Sequence, residues 1–202
     1  MKIKICGLKR IKDIEIINEN YKDVDYIGLV FAESKRKVDK ELAKELIDRL
    51  NPKIKTVGVF VNSKPKEINN IVDYCKLDVV QMHGSESVED CLRINASVWK
   101  AFKIKEESDL NLISEYEEFY GILLDAKDPG SGGSFNWHWA EKLNIKNNLI
   151  LAGGINSGNV IQAMDIIKPD IVDISSGVEL DGYKNSEKIK EFIRKVREYE
   201  TR

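Results

Sequence analysis

Eight short apolar segments recur along the chain, and most of them are hydrophobic at consecutive positions. A strand with one wet face alternates apolar and polar residues, so continuous runs predict strands that are covered on both faces. The segments begin roughly 20 to 30 residues apart, which leaves room for a helix in each gap. They read IKIC, DYIGLVF, IKTVGVFV, DVVQMH, SVWKAFKI, YGILLDA, NLILAGG and DIVDISS.

The gaps between these segments carry helical spacing. Apolar residues fall at i, i+3, i+4 and i+7 in several gaps, which is typical of a helix with one buried face. These stripes are Ile68, Ile71, Val72 and Cys75; Val160, Ala163, Met164 and Ile167; Ile189, Phe192, Ile193 and Val196; and, less regularly, Leu42, Ala43, Leu46, Ile47 and Leu50. Pro65 marks a helix start, and Asp39 or Asn156 would serve as caps. The gap from Trp137 to Leu143 has the weakest signal.

Strict alternation of eight strands with helices favours a closed parallel barrel. The alternative is an open doubly wound sheet, which usually carries a glycine-rich dinucleotide loop after its first strand. Here that place reads CGLKR. We therefore predict an α/β protein with one domain over residues 1–202, a compact (β/α)8 TIM barrel that is shorter than the typical barrel of about 250 residues.

Composition narrows the class of protein. The 202 residues are 42% hydrophobic, enough for one substantial core, and the formal net charge of -2 disfavours a nucleic-acid partner. Cys6, Cys75 and Cys91 form no CxxC pair, and their odd number does not indicate a disulfide framework. No apolar stretch approaches the ~20 residues of a membrane span, and we find no signal peptide. We expect a reduced, cytoplasmic protein without a membrane partner, either monomer or homodimer.

The loops after the seventh and eighth strands predict a phosphate site. LAGGIN contains Gly153 and Gly154, and DISSGVE contains Ser175, Ser176 and Gly177. Glycines let backbone N–H groups approach an anion, serines add hydroxyl donors, and barrels often bind phosphate with these two loops. The alternative is that the glycines only form tight turns.

Cys6 and Asp125 end the first and sixth predicted strands, at the barrel mouth where chemistry is expected. Strands several places apart in a ring face each other, so a thiol and a carboxyl placed there would work as general base and general acid on one substrate. A free cysteine titrates near ~8.5, so we expect hydrogen-bond donors or a cation to help Cys6 lose its proton. Elsewhere in a protein, both residues would more often be structural.

Three other features point toward the same mouth. Arg36 in ESKRKVD would hold a substrate carboxylate through two parallel hydrogen bonds, unless it is only a solvated surface charge. His83 in QMHG is predicted to line the substrate site, with acid–base, ligand and packing roles as alternatives. The segment DPGSGGSFNW, residues 128–137, has the small residues of a lid, or of a long exposed turn. Cys75, His83 and Cys91 make no convincing metal site, because two of them lie on predicted helix faces.

These motifs together resemble the phosphoribosylanthranilate isomerase family, tryptophan-pathway enzymes built as small single-domain (β/α)8 barrels. The similar segments are KICG, SKR, VGVFVN, VQMHG, LLDA with the GSGGSF loop and a tryptophan, LAGGIN, and DISSGVE with GYKN. They span Lys2 to about Asn185 in the family's order. The chain departs from the family at LKR after the CG pair, and at Asn136 and Asn185, where the family has threonine and aspartates respectively.

The resemblance implies an Amadori rearrangement of N-(5-phosphoribosyl)anthranilate to 1-(2-carboxyphenylamino)-1-deoxyribulose 5-phosphate. It implies that Asp125 protonates the furanose ring oxygen and that Cys6 then removes the proton from the sugar carbon beside the imine. Arg36 would hold the anthranilate carboxylate, and the two glycine-containing loops would hold the phosphate. No metal and no organic cofactor is implied.

Two other functions compete with this interpretation. A histidine-pathway isomerase performs the same rearrangement on an aminoimidazole substrate, but it is expected to carry a carboxylate base where this chain has Cys6. A catalytically silent barrel would only bind a sugar phosphate. It is disfavoured because acid, base and carboxylate-binding residues are all present.

Overall fold

A computed structural model describes residues 1–125, 137–143 and 145–201. Eight parallel strands pair in chain order and close into a barrel, as β1 also pairs with β8. The closed barrel was predicted and is confirmed. The strands are β1 (Lys2–Cys6), β2 (Tyr26–Val30), β3 (Lys55–Phe60), β4 (Val79–Met82), β5 (Ser97–Lys103), β6 (Gly121–Asp125), β7 (Asn148–Ala152) and β8 (Ile171–Ile174).

Helices surround the barrel, and each follows a strand. The α-helices are α1 (Ile11–Glu19), α2 (Lys40–Asp48), α3 (Pro65–Cys75), α4 (Val88–Leu92), α5 (Val160–Ile167) and α6 (Ser186–Glu200). After β5 and β6 the described connections are 3-10 helices, Glu107–Tyr116 and Trp137–Lys142, the second in the gap with the weakest signal. A short 3-10 turn, Ser176–Val178, and the hairpin of β9 (Glu179–Leu180) and β10 (Tyr183–Lys184) separate β8 from α6.

The residues that were predicted to mark helix starts do so in the structure, with one exception. Pro65 is the first residue of α3, where its missing N–H has no intrahelical partner to lose. The Asp39 carboxylate caps α2 by accepting a hydrogen bond from the Leu42 backbone N–H at 2.8 Å. The prediction of Asn156 as a cap is wrong: the residue before α5 is Asn159, and the Asn156 side chain closes the preceding turn instead.

The core has two layers, because the strands are covered on both faces. One layer lies between strands and helices, and a smaller one fills the barrel interior around Trp99. The Tyr26 and Trp99 rings meet edge to face, with centroids 5.1 Å apart. Gly121 makes room for this packing, since a Cβ there would lie 2.7 Å from Trp99 Cδ1. The interior layer leaves the mouth end of the barrel to polar residues.

Carboxylates tie strands together at the opposite end of the barrel. Asp25, Asp78 and Asp170 each precede a strand, β2, β4 and β8 respectively. Each accepts a hydrogen bond from a backbone N–H at the start of the neighbouring strand, namely those of Ile3 (2.9 Å), Thr56 (2.8 Å) and Leu149 (2.8 Å). These N–H groups lie where strand pairing begins, so the carboxylates supply acceptors for them.

Candidate active site

A cavity of about 290 Å³ lies at the carboxyl ends of the strands. It brings together eight of the nine site residues that the sequence predicts: Cys6, Arg36, His83, Asp125, Gly153, Gly154, Ser175 and Ser176. Gly177 does not line it. The thiol that ends β1 and the carboxyl that ends β6 therefore line one open cavity, where a single small molecule can contact both.

The surroundings of Cys6 differ from the expectation in one respect. Burial raises the pKa of the Cys6 thiol; the nearby ammonium groups of Lys4 and Lys184 oppose this effect, and the Asp173 carboxylate adds to it. The expected cations are therefore present and act in the expected direction, but burial and the Asp173 carboxylate outweigh them, so the pKa of the thiol lies above the ordinary value. Gly28 makes room for the thiol, because a Cβ there would lie 2.5 Å from Sγ.

Asp125 ends a row of hydrogen-bonded side chains that crosses the barrel. Its Oδ2 lies 3.0 Å from His83 Nε2, and His83 Nδ1 lies 2.8 Å from Gln81 Nε2. The Lys4 ammonium donates to Gln81 Oε1 at 2.7 Å and to Asp173 Oδ2 at 2.6 Å. We refer to Lys4, Gln81, His83 and Asp125 as the cross-barrel row.

Lys4, Gln81 and Asp173 were missed by the sequence reasoning, although a signal for them exists. Each is a polar residue with an apolar neighbour on either side in its strand, and each is buried. Burial alone would lower the pKa of Lys4, but the Asp173 carboxylate and the Cys6 sulfur together outweigh it and the pKa is raised. Asp173 lines the cavity, and among the described residues no donor hydrogen-bonds to its buried Oδ1. Buried charges rarely add stability, so such a pair in a strand indicates a functional site.

Arg36 binds a carboxylate of the protein itself. Its Nε and Nη2 donate to the two carboxylate oxygens of Glu179 at 2.6 and 2.8 Å, and Lys184 donates to Glu179 Oε1 at 2.9 Å. Burial would raise the pKa of Glu179, but the hydrogen bonds from Arg36 and Lys184 outweigh it and lower the pKa to about 2. Because a guanidinium has five N–H groups in a fork, this pairing occupies one edge and orients the other.

Gly7, which follows the proposed base in sequence, lets the Arg36 side chain pass. It has a positive φ of 82°, and a Cβ there would lie 2.3 Å from Arg36 Cδ. Any other residue would combine backbone strain with this clash. The CG pair at the end of β1 therefore serves both Cys6 and Arg36.

The two predicted phosphate-binding loops pack against each other. Gly153 and Gly154 have positive φ values, 78° and 67°, which favour glycine. A Cβ on Gly177 would lie 2.4 Å from the Ile155 carbonyl oxygen, so Gly177 allows the loops to touch. The Ser175 hydroxyl donates to the Cys6 carbonyl oxygen at 3.0 Å, and Ser175 lines the cavity. Ser176 is exposed at the cavity rim.

A larger cavity, of about 510 Å³, adjoins the first one and shares Val61 and His83 with it. Its wall includes the buried pair of Lys100 and Glu86, at 2.9 Å. Burial would raise the pKa of Glu86, but the Lys100 ammonium and backbone N–H groups outweigh it and lower the pKa. This cavity contains neither Cys6 nor Asp125. We therefore take the smaller cavity as the candidate active site.

The remaining residues that the sequence analysis singled out lie away from the cavity or outside the described residues. Residues 128–136 of the expected lid, including Asn136, lie outside the described residues. Asn185 caps α6 by accepting a hydrogen bond from the Lys188 N–H at 3.0 Å. Cys75 and Cys91 are buried, and burial raises the pKa of each thiol, that of Cys91 to about 11. Within the described ranges no three His, Cys, Asp or Glu side chains are grouped as metal ligands would be.

Of the helices in the described part of the chain, none has the length and apolarity that crossing a membrane requires.

Comparison with known proteins gives a consistent result. A family model described as N-(5'phosphoribosyl)anthranilate (PRA) isomerase matches residues 3–195. The N-(5'-phosphoribosyl)anthranilate isomerase of Clostridium kluyveri is 51% identical over 199 residues, with 98% of each chain covered. The crystal structure of phosphoribosyl anthranilate isomerase from Thermotoga maritima has a TM-score of 0.90 and 37% identity, covering 98% of this chain and 99% of that one.

A second solved structure contains a ligand. It is a phosphoribosyl anthranilate isomerase in complex with reduced 1-(o-carboxyphenylamino)-1-deoxyribulose 5-phosphate, with a TM-score of 0.88 and 35% identity over 98% of this chain and 99% of that one. The family resemblance seen in the motifs is thus confirmed by the family model, by relatives and by the fold. The chain belongs to the N-(5'-phosphoribosyl)anthranilate isomerase family.

Proposed function

We propose that Cys6 is the general base and Asp125 the general acid of the reaction that this family performs. As a member of the family, the chain catalyses the Amadori rearrangement of N-(5'-phosphoribosyl)anthranilate to 1-(2-carboxyphenylamino)-1-deoxyribulose 5-phosphate in tryptophan biosynthesis. The observation that carries the two roles is that thiol and carboxyl line one cavity from β1 and β6.

The first step opens the furanose ring. Asp125 gives its proton to the ring oxygen, and the bond between that oxygen and C1 breaks. The lone pair of the anthranilate nitrogen replaces the broken bond, so C1 and nitrogen become a protonated Schiff base. A positioned acid is needed because an alkoxide is a poor leaving group, and such a group contributes typically ~10² or more to the rate.

The second step removes the proton from C2. The Cys6 thiolate takes it, and the electron pair moves into the C1–C2 bond and neutralises the protonated imine, giving an enolamine. The enolamine then loses its hydroxyl proton and gains one at C1, which produces the ketone. The positive nitrogen formed in the first step favours thiolate over thiol, and so offsets the raised pKa of Cys6.

The remaining residues hold the two ends of the substrate. The free edge of the Arg36 fork donates hydrogen bonds to the anthranilate carboxylate while Glu179 accepts those of the other edge. The loops around Gly153, Gly154 and Ser176 hold the phosphate through backbone N–H groups and a hydroxyl. His83 lines the site between them. No metal or organic cofactor is required, because the acid, the base and the nitrogen lone pair move all the electrons.

The proposal also covers the domain organisation, the location, the assembly and the substrate preference of the chain. Residues 1–202 act as one domain on a small phosphorylated substrate in the cytoplasm, as a monomer or homodimer. The thiol in place of a carboxylate base favours the anthranilate substrate over the aminoimidazole substrate of the histidine-pathway isomerase.

The test is a turnover assay on purified protein with each aminoaldose in turn, with and without a chelator. We expect the fluorescence of the anthranilate substrate to disappear with time at the same rate in both conditions, and the aminoimidazole substrate to stay unconverted. Binding without conversion would support the silent barrel instead. Conversion of only the aminoimidazole compound would support the competing isomerase.

A further inference from the structure

The hydrogen-bond donors and acceptors along the cross-barrel row determine which of its atoms carry protons. A lysine ammonium donates hydrogen bonds and accepts none. The Gln81 atom 2.7 Å from Lys4 Nζ must therefore be the amide oxygen, which turns the amide NH2 toward His83. Lys4 is itself fixed by its bond to Asp173, and both side chains are buried. Gln81 consequently has one orientation.

The orientation of Gln81 decides the state of His83. Because the Gln81 NH2 group donates, His83 Nδ1 must accept and carries no proton. The ring proton then sits on Nε2 and is donated to Asp125 Oδ2, 3.0 Å away. A doubly protonated ring would set an Nδ1–H against the Gln81 NH2 at 2.8 Å.

We propose that Gln81, oriented by Lys4, holds His83 as the neutral Nε2–H tautomer, and that His83 in turn positions Asp125. The hydrogen bond from His83 to Oδ2 fixes the orientation of the Asp125 carboxyl group. His83 and Gln81 are thus positioning residues. This inference rests on the proposed acid role of Asp125.

The charged groups around His83 leave this decision to Gln81. On the β1 and β8 side, Lys4 is paired with Asp173, next to the Cys6 thiol. On the β5 side, Lys100 is paired with Glu86, along the second cavity that His83 lines. Oδ2 of the Asp125 carboxyl group on β6 faces Nε2 and accepts a hydrogen bond from it. Arg36, which lines the same cavity as His83, shares Glu179 with Lys184. The donor at Nδ1 selects the tautomer.

The direct test is nitrogen NMR on the full chain with labelled histidine near neutral pH. The chain has two histidines, His83 and the exposed His138, so a His138→Gln variant assigns the signals. We expect a protonated Nε2 and an unprotonated Nδ1 at His83. A proton on Nδ1, alone or with one on Nε2, would overturn the assignment. This reading needs no turnover, so it is independent of whether Asp125 is the acid.

A pair of variants tests the positioning role. In His83→Gln the new amide nitrogen can donate to Asp125 in place of Nε2, whereas in His83→Leu no donor remains. We expect kcat to fall ~10²-fold in His83→Leu and clearly less in His83→Gln, with KM close to the parent in both. Equal losses in both variants, a rise of KM alone, or unchanged kcat in His83→Leu would overturn it.

Gln81→Glu tests the link from Gln81 to His83. A carboxylate beside Nδ1 accepts a proton where the amide donated one, so the NMR signature should change to a protonated Nδ1, and kcat should fall. Thermal unfolding of the variant checks that the barrel still forms. A His83 signature identical to the parent's would refute the control by Gln81, and the parent spectrum decides the tautomer even if this variant does not fold.

Discussion

The two ends of the barrel use carboxylates in different ways. At the end where the strands start, Asp25, Asp78 and Asp170 accept backbone N–H groups of neighbouring strands. At the mouth, Asp125, Asp173 and Glu179 bind the side chains of histidine, lysine and arginine instead.

This difference implies that the carboxylates where the strands start stabilise the fold, whereas those at the mouth serve the reaction. A carboxylate that accepts hydrogen bonds from backbone N–H groups holds neighbouring strands together and has no further role. Because these three carboxylates are partly or fully exposed, water can take over some of their hydrogen bonds when they are removed. At the mouth the partners are cationic or imidazole side chains, and at Glu179 the hydrogen bonds from Arg36 and Lys184 lower the pKa of the carboxyl group. Changes at the mouth should therefore alter turnover, and at Glu179 also the pH dependence of stability, whereas changes at the other end should alter the free energy of unfolding and leave turnover unchanged.

The largest effect is expected at the proposed acid and base. Cys6→Ala and Asp125→Ala should each lower kcat by ~10² or more, because each removes a positioned group that transfers a proton. The fluorescence assay measures kcat, and denaturant unfolding serves as the control. Turnover at the parent rate in either variant would remove that residue from the mechanism.

Arg36 comes next. Arg36→Ala removes the carboxylate fork, and we expect KM to rise by ~10-fold or more, since a hydrogen bond to a charged group contributes about 1.5–3 kcal/mol. Arg36→Lys is the matched control, because it keeps the charge and loses the fork. An unchanged KM in Arg36→Ala would contradict binding of the substrate carboxylate.

The lowered pKa of Glu179 predicts that the free energy of unfolding depends on pH. Its pKa in the folded protein is about 2, below the ordinary value of 4.5, so ionised Glu179 contributes stability above pH 4.5. That contribution is lost as the pH falls from 4.5 toward 2. Unfolding of the parent and of Glu179→Gln should therefore differ most near neutral pH and converge over this range. A difference that stays constant with pH would contradict the assignment of the charge.

The smallest effect on turnover is expected at the far end. Asp78→Ala removes the acceptor of the Thr56 backbone N–H and hydroxyl, both at 2.8 Å, and should cost about 1 kcal/mol of unfolding free energy. We expect kcat and KM to match the parent, since Asp78 lies at the opposite end from the cavity. A large loss of kcat in a variant that folds normally would break the comparison between the two ends.

The fold was predictable because its signals are local. Continuous apolar runs and helical stripes such as that of Ile68, Val72 and Cys75 depend on neighbours within a few residues, and the structure buries all three. The positions of Cys6 and Asp125 in one cavity follow from the order of the strands around a closed ring. The wrong cap at Asn156 shows the usual uncertainty at helix ends.

The pairings within the site were not predictable in this way. Lys4 and Gln81 are 77 positions apart, and Arg36 and Glu179 are 143 apart, so only the closed barrel brings them together. The pKa of Cys6 also depends on the sum of burial, two cations and a carboxylate, whose balance needs coordinates. A polar residue within an apolar strand, as at Gln81, is the signal by which sequence reasoning can anticipate such a row.

The central claim is that ring opening and proton abstraction belong to different residues on two sides of one cavity. Single-turnover absorbance of Cys6→Ala and Asp125→Ala with the anthranilate substrate tests it most directly. We predict that Cys6→Ala opens the ring and accumulates the Schiff base without forming product, whereas Asp125→Ala accumulates neither. Schiff base accumulating in Asp125→Ala, or product forming in Cys6→Ala at the parent rate, would contradict the account.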